Sequence, residues 1–396
     1  MKKKFILLVG VMLVASGSLS AQQTLTVTHS TAGSMAAEIT AALGSGTAAD
    51  ITDLVIQGSA FVTFADCRAI AAAFPTAGLK MLDLSAAKFE NDSTPGNVPG
   101  ETLGAFNSSD NGLQVTEVKL PADLRVIGPR TFRKFGKLKT INLPATLTRL
   151  GEGCFTACGS INIEEFPANL KTIDGYAFFQ AYEMKSLEEL PEGLVGKIGD
   201  HAFRQTSVAV TVIPVGVTEI GAAAFRAEAR PVSLDALVLY QNVAKIGSQA
   251  FGNQAKLTNV EVNRMTPPET AANAFDAVNL AGIDLYIPIG SLEAYQAVEP
   301  WKSMGQIYAV LPEPTSGISE MKVANFSVYP NPAINTISIT MNDDITVKSA
   351  KILNMAGAVV ENLQVNTSLT FDVSRLSNGM YFLQLNNDTA VRFIKK

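Results

Sequence analysis

The chain is poor in the residues that most often carry chemistry. Its 396 residues include two histidines, three cysteines and one tryptophan, and only 17% are charged. Three scattered cysteines cannot build a disulfide framework. Cys154 and Cys158 flank Phe155, at places where other copies of a repeat have Ala177, Ala202, Ala181 and Thr206. They read as small buried thiols rather than a bridge or a metal pair. His29 falls near the N-terminus. His201 stands where other copies have Arg130, Gly153, Tyr176, Ala223 and Gln249, so it reads as a convex-surface residue. No Gly-x-Ser-x-Gly elbow, His-Glu-x-x-His pair or phosphate loop occurs. The expectation is a chain with no catalytic residue, no cofactor and no metal.

Positive charge and long apolar runs are also scarce. The net charge is −5, which argues against a nucleic-acid partner. The one marked apolar run, Phe5 to Val14, follows Lys2, Lys3 and Lys4 and precedes small residues. That is the pattern of a secretory signal peptide over residues 1–21, cut after Ser20 or Ala21. Its removal leaves 28 basic against 36 acidic residues, a charge of −8. No later run approaches the roughly 20 apolar residues a membrane span needs, so no transmembrane segment is expected in the mature chain. With 47% hydrophobic residues the remainder can bury a large core.

What is abundant is repetition. Phenylalanine returns every 22 to 26 residues, at Phe132, Phe155, Phe178, Phe203, Phe225, Phe251 and Phe275. Five residues before the first six stands Ile127, Leu150, Ile173, Ile198, Ile220 or Ile246. Glycine follows in every case except Asp174. Upstream runs a second beat, Leu120-Pro121, Leu143-Pro144, Phe166-Pro167, Leu190-Pro191 and Ile213-Pro214. Two punctuations locked to a period of about 23 indicate a stacked repeat array. In one unit Leu138, Ile141 and Leu143 face inward from a short strand and proline ends it. Leu147 and Leu150 start the return leg, Gly151 permits the corner and Phe155 fills the layer.

The expected organisation is an irregular N-terminal cap with first degenerate repeats over 22–112, and a repeat array with its own cap over 113–308. A linker at 309–325 and a small immunoglobulin-like β-sandwich over 326–396 follow. Within the first segment, strands are expected at Leu25 and Leu54, a leucine-rich strand at Leu79, and short helices over Met35–Leu43 and Arg68–Phe74. Leu103-Gly-Ala-Phe106 reads as a degenerate first beat. Leu292, Tyr295 and Val298 lie at helical spacing before Trp301 and read as the closing cap.

The unit Leu-Pro-x-x-Leu-x-x-Ile-Gly-x-x-Ala-Phe resembles the BspA-like leucine-rich repeat family, carried by Leu143-Pro144, Leu147, Leu150-Gly151, Phe155 and Ile246 to Phe251. Ile287 to Tyr295, with Trp301, is similar to that family's ending. The match weakens at 228–245, which lacks Leu-Pro, and at 259–275, where Thr270-Ala271 replaces Ile-Gly. The resemblance implies a mainly β leucine-rich repeat solenoid.

The C-terminus resembles the sorting domain of type IX secretion, found in Bacteroidetes. Tyr329-Pro330-Asn331-Pro332, Ala350 to Gly357, Phe371 to Phe382 with Gly379 and Tyr381, and Lys395-Lys396 carry it. This resemblance implies handling by the type IX machinery through residues 326–396, and delivery by way of the periplasm to the outer-membrane surface or the medium.

For the array the resemblance implies adhesion to a protein or glycan ligand on host or neighbouring cells. The expected binding face is the strand ladder before each Leu-Pro, with Lys119, Asn142, Glu164, Glu165, Glu188 and Glu189 outward. The alternative is a carbohydrate-binding or structural envelope protein. Tyr286, the one obvious aromatic at the end of that ladder, gives the carbohydrate reading little support.

Overall fold

The computed structural model describes residues 23–74, 78–89, 113–185, 187–228, 234–311, 326–341, 347–353, 359–365, 369–386 and 390–396. The expected signal peptide, Phe106, residues 312–325 of the expected linker and Gly357 lie outside them. Two compact units are present. The first runs to Ile307 except for Tyr286–Leu292, which belongs with Tyr308–Lys396 to the second.

The N-terminal segment is more regular than its composition suggests. It alternates β1 (Thr24–His29), α1 (Met35–Leu43), β2 (Asp53–Phe61), α2 (Phe64–Ala73) and β3 (Met81–Lys88). In β1 the period of two is strict, with Leu25, Val27 and His29 buried and the threonines between them exposed. Helix α2 starts four residues earlier than expected. Thr63 and Asp66 form a capping box, with Thr63 N–H donating to Asp66 Oδ2 (2.9 Å) and Asp66 N–H to Thr63 Oγ1 (3.3 Å).

Through the repeats the strands are short: β4 (Glu117–Lys119), β5 (Val126–Ile127), β6 (Thr140–Ile141), β7 (Arg149–Leu150), β8 (Thr172–Ile173), β9 (Gly196–Ile198), β10 (Val217–Ile220), β11 (Ala236–Leu239), β12 (Lys245–Ile246), β13 (Asn259–Val262) and β14 (Glu269–Thr270). They fall on two legs. The leg before Leu-Pro continues the first sheet, in the order β1-β2-β3-β4-β6, and stops there. It resumes as the parallel pair β11 and β13. The return leg, before Ile-Gly, is an unbroken seven-stranded parallel sheet, β14-β12-β10-β9-β8-β7-β5. Thr270 keeps its place in it, opposite Ile246.

Between the legs lies the phenylalanine column. From Phe132 to Phe275 successive rings stack at 5.3 to 5.7 Å, tilted by 5° to 21°. All seven are buried. After β15 (Asp284–Pro288) the short helix α3 (Leu292–Gln296) leads to Trp301, which closes the column edge-on against Phe275 at 5.9 Å. Tyr295 and Trp301 make this cap, with Tyr295 OH donating to Arg264 O (2.9 Å), whereas Leu292 and Val298 are exposed.

The corner glycines serve a purpose other than freedom of φ. A Cβ on Gly199 would sit 2.2 Å from Gly175 N and 2.3 Å from Asp174 C, and one on Gly151 2.7 Å from Gly128 C. Neighbouring backbones pass too closely there for any side chain. The left-handed residues come two later: Arg130, Gly153, Tyr176, His201, Ala223 and Gln249, with φ between 50° and 61°. Each donates its N–H to the next copy, as in Tyr176 to Asp200 O and His201 to Ala222 O. Phe132, Phe155 and Phe178 do likewise, so the turns form a third ladder outside any strand.

In the second unit β16 (Ile307–Leu311) precedes two antiparallel sheets. Their strands are β17 (Phe326–Tyr329), β18 (Thr336–Met341), β19 (Ala350–Leu353), β20 (Val359–Leu363), β21 (Thr370–Asp372), β22 (Gly379–Leu385) and β23 (Ala390–Lys395). One sheet is β17-β18-β21 and the other β20-β19-β22-β23. Phe326, Ile337 and Phe371 of the first share a core with Ile352, Leu383 and Phe393 of the second. Six of the seven strands match expected segments. The missed one, β20, has the exposed Val359 and Val360 and no apolar alternation to mark it.

Candidate binding surfaces

The six residues expected on one ladder face do not share one. Lys119 ends β4, with Nζ 3.8 Å from both Asp83 and Glu117. Asn142 is committed to the preceding copy: its Oδ1 accepts from Leu120 N–H (2.6 Å) and its Nδ2 donates to Leu120 O (3.1 Å). The side chain thus continues the ladder where the backbone leaves it. Glu164, Glu165, Glu188 and Glu189 are exposed, but 161–166 and 187–190 contain no strand. The four carboxylates stand at equivalent places in two adjacent copies, just beyond β6, where the forward sheet ends.

The return ladder is charged and self-paired. Arg149 donates from Nε (2.9 Å) and Nη2 (2.7 Å) to Asp174, which replaces the corner glycine. Lys197 reaches Asp200 (2.9 Å) and Glu219 (3.0 Å). The hydrogen bond that Lys197 donates to Asp200, joined by that to Glu219, raises the Lys197 pKa. Burial opposes ionisation of Asp200, yet Lys197 and the Ala222 N–H hold its pKa below the ordinary range.

The turn face gathers residues of successive copies around the column that holds Tyr176 and His201. The rings of Tyr176 and His201 stack at 4.6 Å, with Phe179 edge-on to Tyr176 at 5.7 Å. Arg204 lies over Phe179 at 5.6 Å and donates to Glu228. Gln205 also donates to Glu228. Arg226 and Gln249 meet on Asp276, at 3.3 and 3.0 Å. Partial burial, then the Arg204 charge, lower the His201 pKa. A neutral, stacked imidazole suits packing rather than proton transfer. Tyr176 and His201 hold the same place in successive copies, and the variety of residues in that column hid the contact.

The other histidine is a structural node. His29 is buried, its Nδ1 2.7 Å from Glu38 Oε2 and its Nε2 3.1 Å from Phe61 O and 3.4 Å from Asp66 Oδ2. Asp66 also accepts from Gly33 and Met35 N–H. Burial disfavours the Glu38 charge, but hydrogen bonds from His29, Ser30 and Ser34 outweigh it and set its pKa at about 2. A histidine with two carboxylates resembles acid–base machinery, but here every group is occupied in joining β1, α1 and α2. Among the described residues no cluster could hold a metal ion.

In the second unit several sorting-motif residues meet. Asn331 Oδ1 accepts from Ile394 N–H (2.8 Å), Ala333 N–H donates to Ile394 O (2.7 Å) and Lys396 N–H to Ala333 O (2.8 Å). Gly379 pairs with Lys395 in the ladder. Tyr381 stacks on Phe393 at 5.8 Å and donates to Ser377 O (3.1 Å). Tyr329 ends β17, Pro330 and Pro332 flank Asn331, and Lys395 is buried. Residues far apart in sequence thus converge on the last strand.

Comparison with known proteins agrees with this geometry. Residues 105–231 and 229–297 match the BspA type leucine rich repeat region, in six copies. Residues 327–396 match the secretion system C-terminal sorting domain. No curated protein is similar enough to match. Among solved structures, a leucine-rich repeat protein from Bacteroides ovatus shares 20% identity over 67% of this chain and 71% of its own, with a TM-score of 0.36. A leucine rich cell surface protein from Faecalibacterium prausnitzii shares 17% over 59% and 83%, at 0.25. The pneumococcal vaccine antigen PcpA shares 12% over 67% and 78%, at 0.24. No helix among the described residues is long and apolar enough to cross a membrane. Residues 105–297 are a BspA type leucine-rich repeat region and residues 327–396 a type IX secretion sorting domain, so the chain is an exported leucine-rich repeat protein bound for the cell surface or beyond it.

Proposed function

We propose that the protein is a non-catalytic, adhesin-like binder of macromolecules on host or neighbouring cells. The observation that carries this reading is the pairing of a repeat array with a sorting domain in one chain. A solenoid offers extended surface at low structural cost, and export places that surface where partners are met.

The face proposed for a protein partner is the forward leg at Glu164, Glu165, Glu188 and Glu189. Four exposed carboxylates cluster there in two adjacent copies, and a basic partner surface would be complementary to them. The test is binding of the full chain to immobilised matrix proteins and cell-surface glycans, alongside Glu165→Lys/Glu189→Lys. Loss of a protein partner by the charge-reversed variant is expected. Equal binding by both, or no bound partner, would remove the proposal.

A further inference from the structure

Each copy of the repeat puts one left-handed residue on the turn face, and that conformation does not demand glycine. Arg130, Tyr176, His201, Ala223 and Gln249 all adopt it, yet position 153 is glycine. The consequence falls on Tyr176. His201 covers one face of its ring. The other face looks onto the Gly153 rung, which has no side chain, and Tyr176 is 39% exposed. A carbon placed on Gly153 would lie 3.1 Å from Thr156 Oγ1 and 3.6 Å from Arg130 Cγ, its two nearest residues. Rungs of a parallel ladder are about 4.8 Å apart, so Arg130 and Tyr176 bound a slot of about 10 Å between centres. That is room for one six-membered ring.

The stretch that supplies Arg130 is rich in cations. Arg125, Arg130, Arg133, Lys134, Lys137 and Lys139 fall in fifteen residues that contain no acid, in a chain of net charge −5. Arg130 meets Glu152 only at 3.9 Å, with both side chains mostly exposed, an arrangement that contributes little. The Thr156 hydroxyl, which donates to Tyr176 O (2.8 Å), and the Glu152 carboxylate are acceptors at the rim. A ring bearing several hydroxyls can donate to both at once.

We propose that this slot takes one pyranose of an acidic glycan. The sugar's face lies on Tyr176, and its carboxylate or sulfate pairs with Arg130. This site is separate from the acidic forward leg, and its failure would leave that proposal standing.

The test is calorimetric titration of the full chain with polygalacturonate, dextran sulfate and neutral dextran. Tyr176→Ala and Gly153→Tyr are suitable variants, since the column already holds alanine at 223 and tyrosine at 176. Lys245→Ala on the return ladder is the charge control, and melting curves show which variants remain folded. The two anionic polymers are expected to bind and the neutral one not to. Each slot variant should weaken binding by about tenfold or more, with Lys245→Ala unchanged. Binding that survives in whichever slot variant folds would reduce the site to plain charge and overturn it. Equal binding of neutral dextran, absence of binding, or equal competition by polyglutamate would also overturn it.

Discussion

The two legs of each repeat use similar residues and reach different outcomes. The return leg pairs without interruption from β5 to β14. The forward leg pairs as far as β6, forms no strand through the three copies at 161–166, 187–190 and 208–213, and resumes at β11, to which Val212 is joined by an isolated bridge. Burial does not explain the difference, since Ile161, Ile163, Leu187 and Leu190 are as buried as their counterparts. What differs is the outward side chain. On the return leg Lys197 is met by Glu219, whereas on the forward leg Glu165 and Glu189 stand at equivalent places. The apolar pattern fixes which residues face in on both legs, while the outward side chains differ between the paired and the unpaired rungs.

The largest way to break this comparison is to remove what both legs share. Phe178→Ala empties a site with rings stacked on both sides, and should cost about 3 to 5 kcal/mol. Unchanged thermal unfolding would mean that the column is not the core. Gly199→Ala strikes the return leg alone. Its Cβ meets only backbone, and the strain should cost about 1 to 3 kcal/mol. Gly136→Ala, whose nearest contact would be 4.0 Å away, is the control and should change stability by less than about 0.5 kcal/mol. A similar loss in both would show that close passage of the backbones is not the reason for glycine.

Asn142→Ala probes the last rung of the forward leg. It strips the partner from both polar groups of Leu120 and should cost about 1 to 2 kcal/mol. A neutral outcome in chemical denaturation would mean that water replaces the clasp. Acid should loosen the N-terminal sheet from which that leg grows. The folded Glu38 pKa is about 2 against an ordinary 4.5. Its stabilisation is therefore complete above pH 4.5 and is lost as pH falls toward 2. Melting temperature should drop across that window in the wild type and less steeply in Glu38→Gln; parallel curves would refute the assignment. The smallest effect belongs to Glu165→Lys/Glu189→Lys, which should alter stability by no more than about 0.5 kcal/mol. A clear gain would mean that repulsion among the four carboxylates costs global stability.

Much of this fold was legible because repetition multiplies a weak signal. One phenylalanine says little, and seven at one period define a column. The Leu-Pro and Ile-Gly beats located both legs, and the alternation in Phe326–Tyr329 and Gly379–Leu385 located the sandwich. The illegible parts depend on relations between copies. A corner glycine has the same letter whether it serves φ or clearance, and only the neighbouring rung at 2.2 Å tells them apart. Asn142 looks outward in its own strand because its partner, Leu120, is one copy away. The N-terminal sheet was not legible as a unit because its strands pair at offsets of 29, 28 and then 36 residues (Thr24 to Asp53, Asp53 to Met81, Met81 to Glu117), off the beat of about 23 that marks the array.

The third ladder has a consequence for the length of the array. Each turn receives its partner's carbonyls from the copy ahead and offers the same set to the copy behind, and each phenylalanine presents the same ring on both sides. A whole copy removed or duplicated between Phe155 and Phe225 would therefore leave two matching faces to rejoin. The number of copies is free to drift, while the Trp301 plug, which ends the column edge-on, must stay last.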